Sequence, residues 1–274
     1  LIAAAATLAA VETMPPARWP GGVVSRVAVP GGHLVVEQRG AGPPLLMLHG
    51  WTLDRRMWLP QLPLARQFTL VAIDRRGFGQ STANPDLAAE PDDVHRVADA
   101  LGLARFHLLG MSQGGRVALA FAGRSPERLA SLTLQGTALD GISGDDEAVP
   151  ITAMTAAASR NDLASMRALV QNHALMQAKS ARGARLVAEM LASYDGRDLI
   201  APVRHLPAFA DSIVDAGFPV TAIVGAADTN QRKANARALG VFGAKVVELA
   251  RAGHLCNLDS PDAFNTAIGA NFTA

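Results

Sequence analysis

Short, nearly continuous apolar runs alternate with amphipathic stretches through much of this chain. Val23 to Val29 and His33 to Gln38 read as two strands joined by Pro30-Gly31-Gly32, a hairpin signal. Leu45 to Leu48 is a continuous apolar strand, and Met57 to Arg66 is helix-like. Phe68 to Ile73 predicts a strand, and Asp92 to Leu101 has helical spacing. Phe106 to Leu109 predicts a strand, Gln113 to Gly123 a helix, and Leu129 to Leu134 a further strand. A strand buried on both faces carries apolar residues without alternation. The pattern therefore predicts a parallel sheet covered by helices on both sides.

The alternation stops near Gly136. From Ala138 to about Pro207 there is no convincing strand, only amphipathic pieces such as Leu163 to Met176, capped at Asn161 or Asp162, and Arg185 to Tyr194. Strand character resumes at Val220 to Val224, residues 231–239 are helix-like, Lys245 to Leu249 is a strand, and a last helix starts near Pro261. Pro15, Pro16, Pro20 and Gly21-Gly22 end any helix before the first strand. The expected organisation is an N-terminal extension over 1–22, an α/β core over 23–137 and 208–274, and a helical insertion over 138–207. The sheet should hold about eight strands, with the insertion after the sixth.

The chain has 274 residues, 49% of them hydrophobic and 18% charged, which is enough apolar material for a sizeable core. Its net charge of +1 gives no basic field for nucleic acid. The single cysteine, Cys256, excludes an internal disulfide framework and a cysteine-rich metal site. No apolar run approaches the roughly 20 residues that span a bilayer, so stable membrane insertion is not expected. Leu1 to Ala10 fits either the apolar part of an export signal or an Ala-rich helix. With no basic residues before it, the helix and a cytoplasmic location are the expectation.

Gly110-Met111-Ser112-Gln113-Gly114 lies where a strand turns into a helix. Such a turn exposes the serine Oγ beside the N–H groups of the helix start. A serine hydroxyl is a weak nucleophile that needs a base, and the base needs a partner that fixes its tautomer. In open parallel sheets, reactive groups gather past the carboxyl ends of strands. Asp228 follows Val220 to Val224 through Gly225-Ala226-Ala227, and His254 follows Lys245 to Leu249 through Arg251-Ala252-Gly253. Ser112, Asp228 and His254 thus form a candidate nucleophile, acid and base. The bland alternatives are a helix cap for Asp228, a satisfied loop histidine for His254, and Asp140 as a rival acid. His49 ends a strand before Gly50-Trp51 and is suited to holding that loop. The Trp51 and Gln113 N–H groups are then the candidate oxyanion donors.

Taken together, Leu48-His49-Gly50-Trp51, Ile73 to Ser81, Gly110 to Gly115, Gly225 to Asp228 and Gly253 to Leu258 make the chain resemble the α/β-hydrolase fold superfamily. The tail Gly253 to Phe264 resembles its carboxylesterase and 3-oxoadipate enol-lactonase branch. Ser112 stands where haloalkane dehalogenases and epoxide hydrolases carry Asp, which disfavours those activities. Gln113 stands where the lactonase relatives more often carry Met, which weakens that assignment. The resemblance implies that 138–207 is a cap over the pocket. Under such a cap, Trp51, Trp58, Met111, Met154, Met176, Met190 and Leu255 are the candidate substrate contacts.

The expected function is cofactor-free and metal-free hydrolysis of a small or medium carboxylic ester or lactone through an acyl-enzyme. The alternatives are C–C bond hydrolysis of a β-diketone or ring-cleavage product on the same triad, and a non-catalytic ligand-binding member of the fold. The expected partner is a small molecule, with no nucleic acid, and the oligomeric state is left open.

Overall fold

The computed structural model describes residues 19–142, 147–202 and 204–269. The sequence readings on Leu1 to Ala10 and on Pro15 and Pro16 lie outside the described residues.

The strands are β1 (Val23–Val29), β2 (Gly32–Arg39), β3 (Pro44–Leu48), β4 (Thr69–Asp74), β5 (Phe106–Met111), β6 (Leu129–Gln135), β7 (Val220–Gly225) and β8 (Lys245–Leu249). They form one eight-stranded sheet in the order β1-β2-β4-β3-β5-β6-β7-β8. The β1–β2 and β2–β4 pairs are antiparallel. Every other pair is parallel, so the carboxyl ends of β3 and of β5 to β8 lie at one edge. This is the α/β-hydrolase architecture that the motifs had suggested.

The continuous apolar strands still obey the two-residue period of the pleat. In β3, Leu46 and Leu48 join one buried cluster with Val94 and Val97 of α1 (Glu90–Ala100) and Val117 and Phe121 of α2 (Gln113–Arg124). Leu45 and Met47 point the other way, into a cluster with Trp58, Phe264 and Ile268. Both faces are therefore covered, which explains why β3 has no polar alternation.

Between β6 and β7 the chain forms α3 (Ile151–Ser159), α4 (Leu163–Gln171), α5 (Ala181–Ser193) and α6 (Arg197–Ile200). Met154, Met166, Val187 and Met190 of these helices are buried in the cluster that contains Trp58. The remaining helices are α7 (Asn230–Val241), α8 (Cys256–Asp259) and α9 (Pro261–Gly269). No helix among the described residues is long and apolar enough to cross a membrane.

One segment differs from the sequence pattern. The helix-like run ending at Arg66 is not an α-helix but a chain of 3-10 turns from Arg55 to Arg66, interrupted by Pro60 and Pro63. Each proline removes an N–H and crowds the carbonyl four residues back, so a regular α-helical ladder cannot form.

Candidate active site

Ser112 occupies the single-residue turn between β5 and α2 with φ 52 and ψ −111. A side-chain-bearing residue in this region is strained, and it persists only where the surroundings hold it. Two bonds do so. The Ser112 N–H donates to the Gln135 carbonyl at 2.8 Å, and the Ser112 carbonyl accepts from the Gly115 N–H at 3.0 Å. Helix α2 also presses against the end of β3: a Cβ on Gly114 would lie 2.5 Å from the Leu48 and His49 carbonyl oxygens. Only glycine permits that approach.

The loops after β7 and β8 are knitted to each other. Ala226 N–H donates to the Leu249 carbonyl and Ala227 N–H to the Ala252 carbonyl, both at 2.9 Å. This stitching brings His254 Nδ1 to 3.1 Å from Asp228 Oδ2. The other oxygen, Asp228 Oδ1, accepts from the Thr229 N–H at 2.8 Å. Helix α7 is capped by Thr229, not by Asp228, so the carboxylate is free for the imidazole. Both side chains are buried, at 1% and 2% exposure. An ionised carboxylate can only accept, so Nδ1 carries the hydrogen, and the lone pair of a neutral ring then falls on Nε2. Nε2 is itself buried and has no hydrogen-bond partner among the described residues.

Gln135 and Gly136 join the two halves of the site. Gln135 accepts from Ser112 through its backbone, and its Nε2 donates to the His254 carbonyl at 3.3 Å and to Asn257 Oδ1 at 2.9 Å. Beside it, the position of a Cβ on Gly136 is 2.8 Å from His254 Cε1. The end of β6 thus contacts both Ser112 and the His254 ring. Asp140, the rival acid, lies elsewhere: it accepts from Arg116 at 2.9 and 3.0 Å and from the Ala208 N–H at 2.9 Å. His33, His95 and His107 bond to Thr82, Ser125 and Ser131.

His49 is fully buried and holds the loop after β3. Its Nε2 accepts from the Arg75 N–H at 2.9 Å, which requires Nδ1 to donate to the Gly50 carbonyl at 2.8 Å. Burial, reinforced by the nearby Arg75 cation, lowers its pKa to about 3. It is therefore neutral, with a defined tautomer.

Trp51 follows. Its Nε1–H donates to Asp198 Oδ2 of α6 at 2.6 Å, and Tyr194 Oη–H donates to Asp198 Oδ1 at 2.7 Å. Burial pushes the Asp198 carboxyl pKa up against the pull of these donors. Thr52 Oγ1 lies 3.8 Å from Met176 Sδ, a further tie between this loop and the insertion.

A cavity of about 520 Å³ opens between sheet and insertion, with Trp51, Phe78, Gln113, Ile151, Leu199 and Arg204 on its wall. Of the residues read from the sequence as substrate contacts, Trp51 lines it. Trp58, Met111, Met154, Met190 and Leu255 are instead packed in the core at 0–1% exposure, and Met176 is half-buried. The wall draws on Phe78, Leu87, Val149, Ile151 and Leu199, which the composition of the insertion did not single out.

A family model for the alpha/beta hydrolase fold matches residues 43–250. The chain belongs to the α/β-hydrolase family. A fluoroacetate dehalogenase from Burkholderia sp. is 36% identical over 104 residues, 35% of this chain and 34% of that protein. The match thus spans about a third of that curated relative's length. A hydrolase from Pseudomonas aeruginosa PA01 is 28% identical with a TM-score of 0.72, covering 93% of this chain and 100% of that one. A thermophilic esterase from Thermogutta terrifontis is 26% identical with a TM-score of 0.71, covering 90% and 97%.

Within this α/β-hydrolase, sequence reading missed Arg75, Gln135, Asp198 and Asn257. Arg75 and Asn257 do stand inside the quoted motifs, but nothing in a motif shows a partner far along the chain.

Proposed function

We propose that this α/β-hydrolase is a serine hydrolase acting on a small or medium carboxylic ester or lactone. The observation that carries the reading is the buried His254–Asp228 pair, with Nε2 unpartnered among the described residues, and the strained Ser112, which contacts the same end of β6 as the His254 ring. The likeness to the Thermogutta esterase over nearly the whole of both chains adds support.

In this reading His254 Nε2 takes the Ser112 proton as Oγ attacks the substrate carbonyl. Asp228 holds the ring and stabilises the imidazolium that forms. The Trp51 and Gln113 N–H groups stabilise the developing oxyanion. The imidazolium then protonates the leaving alcohol. Water, deprotonated by His254, attacks the acyl-enzyme, and collapse of the second tetrahedral species returns the proton to Ser112. The segment 138–207 serves as the cap, and the cavity beside Trp51 and Gln113 takes the substrate's apolar part.

The test is covalent labelling by an organophosphonate, read by mass spectrometry, together with turnover of a short-chain aryl ester. A single adduct on Ser112 and loss of turnover in Ser112→Ala are expected. Near-native activity of Ser112→Ala would overturn the reading. Absence of labelling would favour a ligand-binding member of the fold. A panel that includes β-diketones separates C–O from C–C cleavage.

A further inference from the structure

Arg75 is 2% exposed, yet its guanidinium is engaged on every side. Its Nε and one terminal nitrogen donate to Glu90 at 2.6 and 3.0 Å, a forked pair that keeps the buried charge matched. The other terminal nitrogen donates to the His49 carbonyl at 3.0 Å. The nitrogen nearer Glu90 also donates to Gln113 Oε1 at 2.9 Å. The guanidinium carbon lies 5.3 Å from the Phe78 ring centroid. The Arg75 backbone N–H separately fixes the His49 ring. One residue on the loop after β4 therefore grips both the turn after β3 and the first residue of α2.

Those two places carry the expected oxyanion donors. The turn after β3 leads through Gly50 to the Trp51 amide, and Gln113 supplies its own amide. They come from segments with no hydrogen-bonded ladder between them at this point, so their spacing depends on whatever bridges them. Oxyanion donors work because they are aimed before charge develops. A loosened pair loses transition-state stabilisation while ground-state binding is retained.

We infer that Arg75 is a positioning residue that ties the Trp51 and Gln113 amides into one rigid oxyanion site, with Glu90 as its counter-charge. The inference rests on the serine-hydrolase reading. Lysine in place of Arg75 keeps the charge opposite Glu90 but cannot reach Glu90, His49 and Gln113 together, because it lacks the planar fork.

The experiment is steady-state kinetics of Arg75→Lys on a short-chain aryl ester, with binding of a trifluoromethyl ketone that forms a tetrahedral adduct on serine. A fall in kcat of about tenfold or more is expected, with KM within about twofold. Affinity for the ketone should fall by a similar factor. Unchanged kcat, or a fall in kcat with undiminished ketone affinity, overturns the inference. If Arg75→Lys does not fold, Gln113→Met breaks one arm while leaving Arg75 in place. It should lower kcat in the same direction by a smaller factor, and an unchanged kcat there overturns the inference. Wild-type chain without Ser112-dependent turnover would instead remove the serine-hydrolase reading, and this inference with it.

Discussion

Trp51 Nε1 and Asp198 Oδ2 are 2.6 Å apart, which pins the loop after β3 to the inserted helices. Asp198 is held in turn by Tyr194 Oη–H. Replacing Asp198 by Ala leaves two donors without their acceptor in a half-buried place, at a cost towards the lower end of about 1–3 kcal/mol. Urea unfolding should show that loss, and KM for apolar esters should rise because Trp51 lines the cavity. Wild-type values for both would show that the contact is not maintained in solution.

The backbone at Ser112 trades stability for exposure of a hydroxyl. Ser112→Gly should raise stability by about 1 kcal/mol by relieving the strain of a positive φ, while turnover vanishes. Ser112→Ala should abolish turnover without that gain, because alanine keeps the Cβ. Parallel thermal melts of the two variants provide the comparison. Equal melting temperatures would argue against stored strain.

Gly136 sits against the His254 ring at φ 51. A methyl group there would meet Cε1 at 2.8 Å and Nδ1 at 2.9 Å, so Gly136→Ala must displace the imidazole or the strand end. We expect kcat to fall by at least about tenfold, since misplacement by about 1 Å can cost 10²-fold. Organophosphonate labelling of Ser112 should slow in step. Unimpaired labelling would place the ring outside the chemistry.

Burial gives His49 a folded pKa of about 3, against 6.5 for the ordinary imidazole. Between those values the unfolded chain binds a proton that the folded chain refuses. Stability therefore rises with pH across this window and is lost as pH falls from 6.5 towards 3, by about 1.4 kcal/mol per pH unit from this group. Below about 3 the contribution levels off. His49→Gln should weaken the pH dependence between pH 6.5 and 4.5, measured by urea unfolding, even if it lowers stability at neutral pH. An identical slope would mean that His49 is not the group responsible.

The counter-charges around Arg75 illustrate what a sequence hides. From the sequence, Asp74 and Arg75 read as holding a tight loop through local hydrogen bonds. In the fold Arg55 pairs with Asp74 and Glu37, Arg75 with Glu90, and Arg76 with Asp93. Each of these pairs joins separate elements. Similarly, Pro60 and Pro63 were visible in the sequence, but apolar spacing alone suggested a helix where 3-10 turns formed.

The sequence by itself determined what depends on short-range periodicity: the strands, the break after β6, the helices within it, and the placing of Ser112, Asp228 and His254 just past strand ends. Apolar period and glycine-bearing turns are local properties, and a parallel sheet with right-handed crossovers leaves few ways to assemble them. Only the tertiary structure decided which polar groups meet. Arg75 reaches Gln113 across 38 positions and Trp51 reaches Asp198 across 147. It also decided that the cavity wall is built from Phe78, Ile151 and Leu199, while Trp58 and most of the methionines fill the core. Such pairings are selected by desolvation and packing in the closed fold, where an unmatched donor or charge is costly. Residues far apart in the chain carry no local trace of that selection.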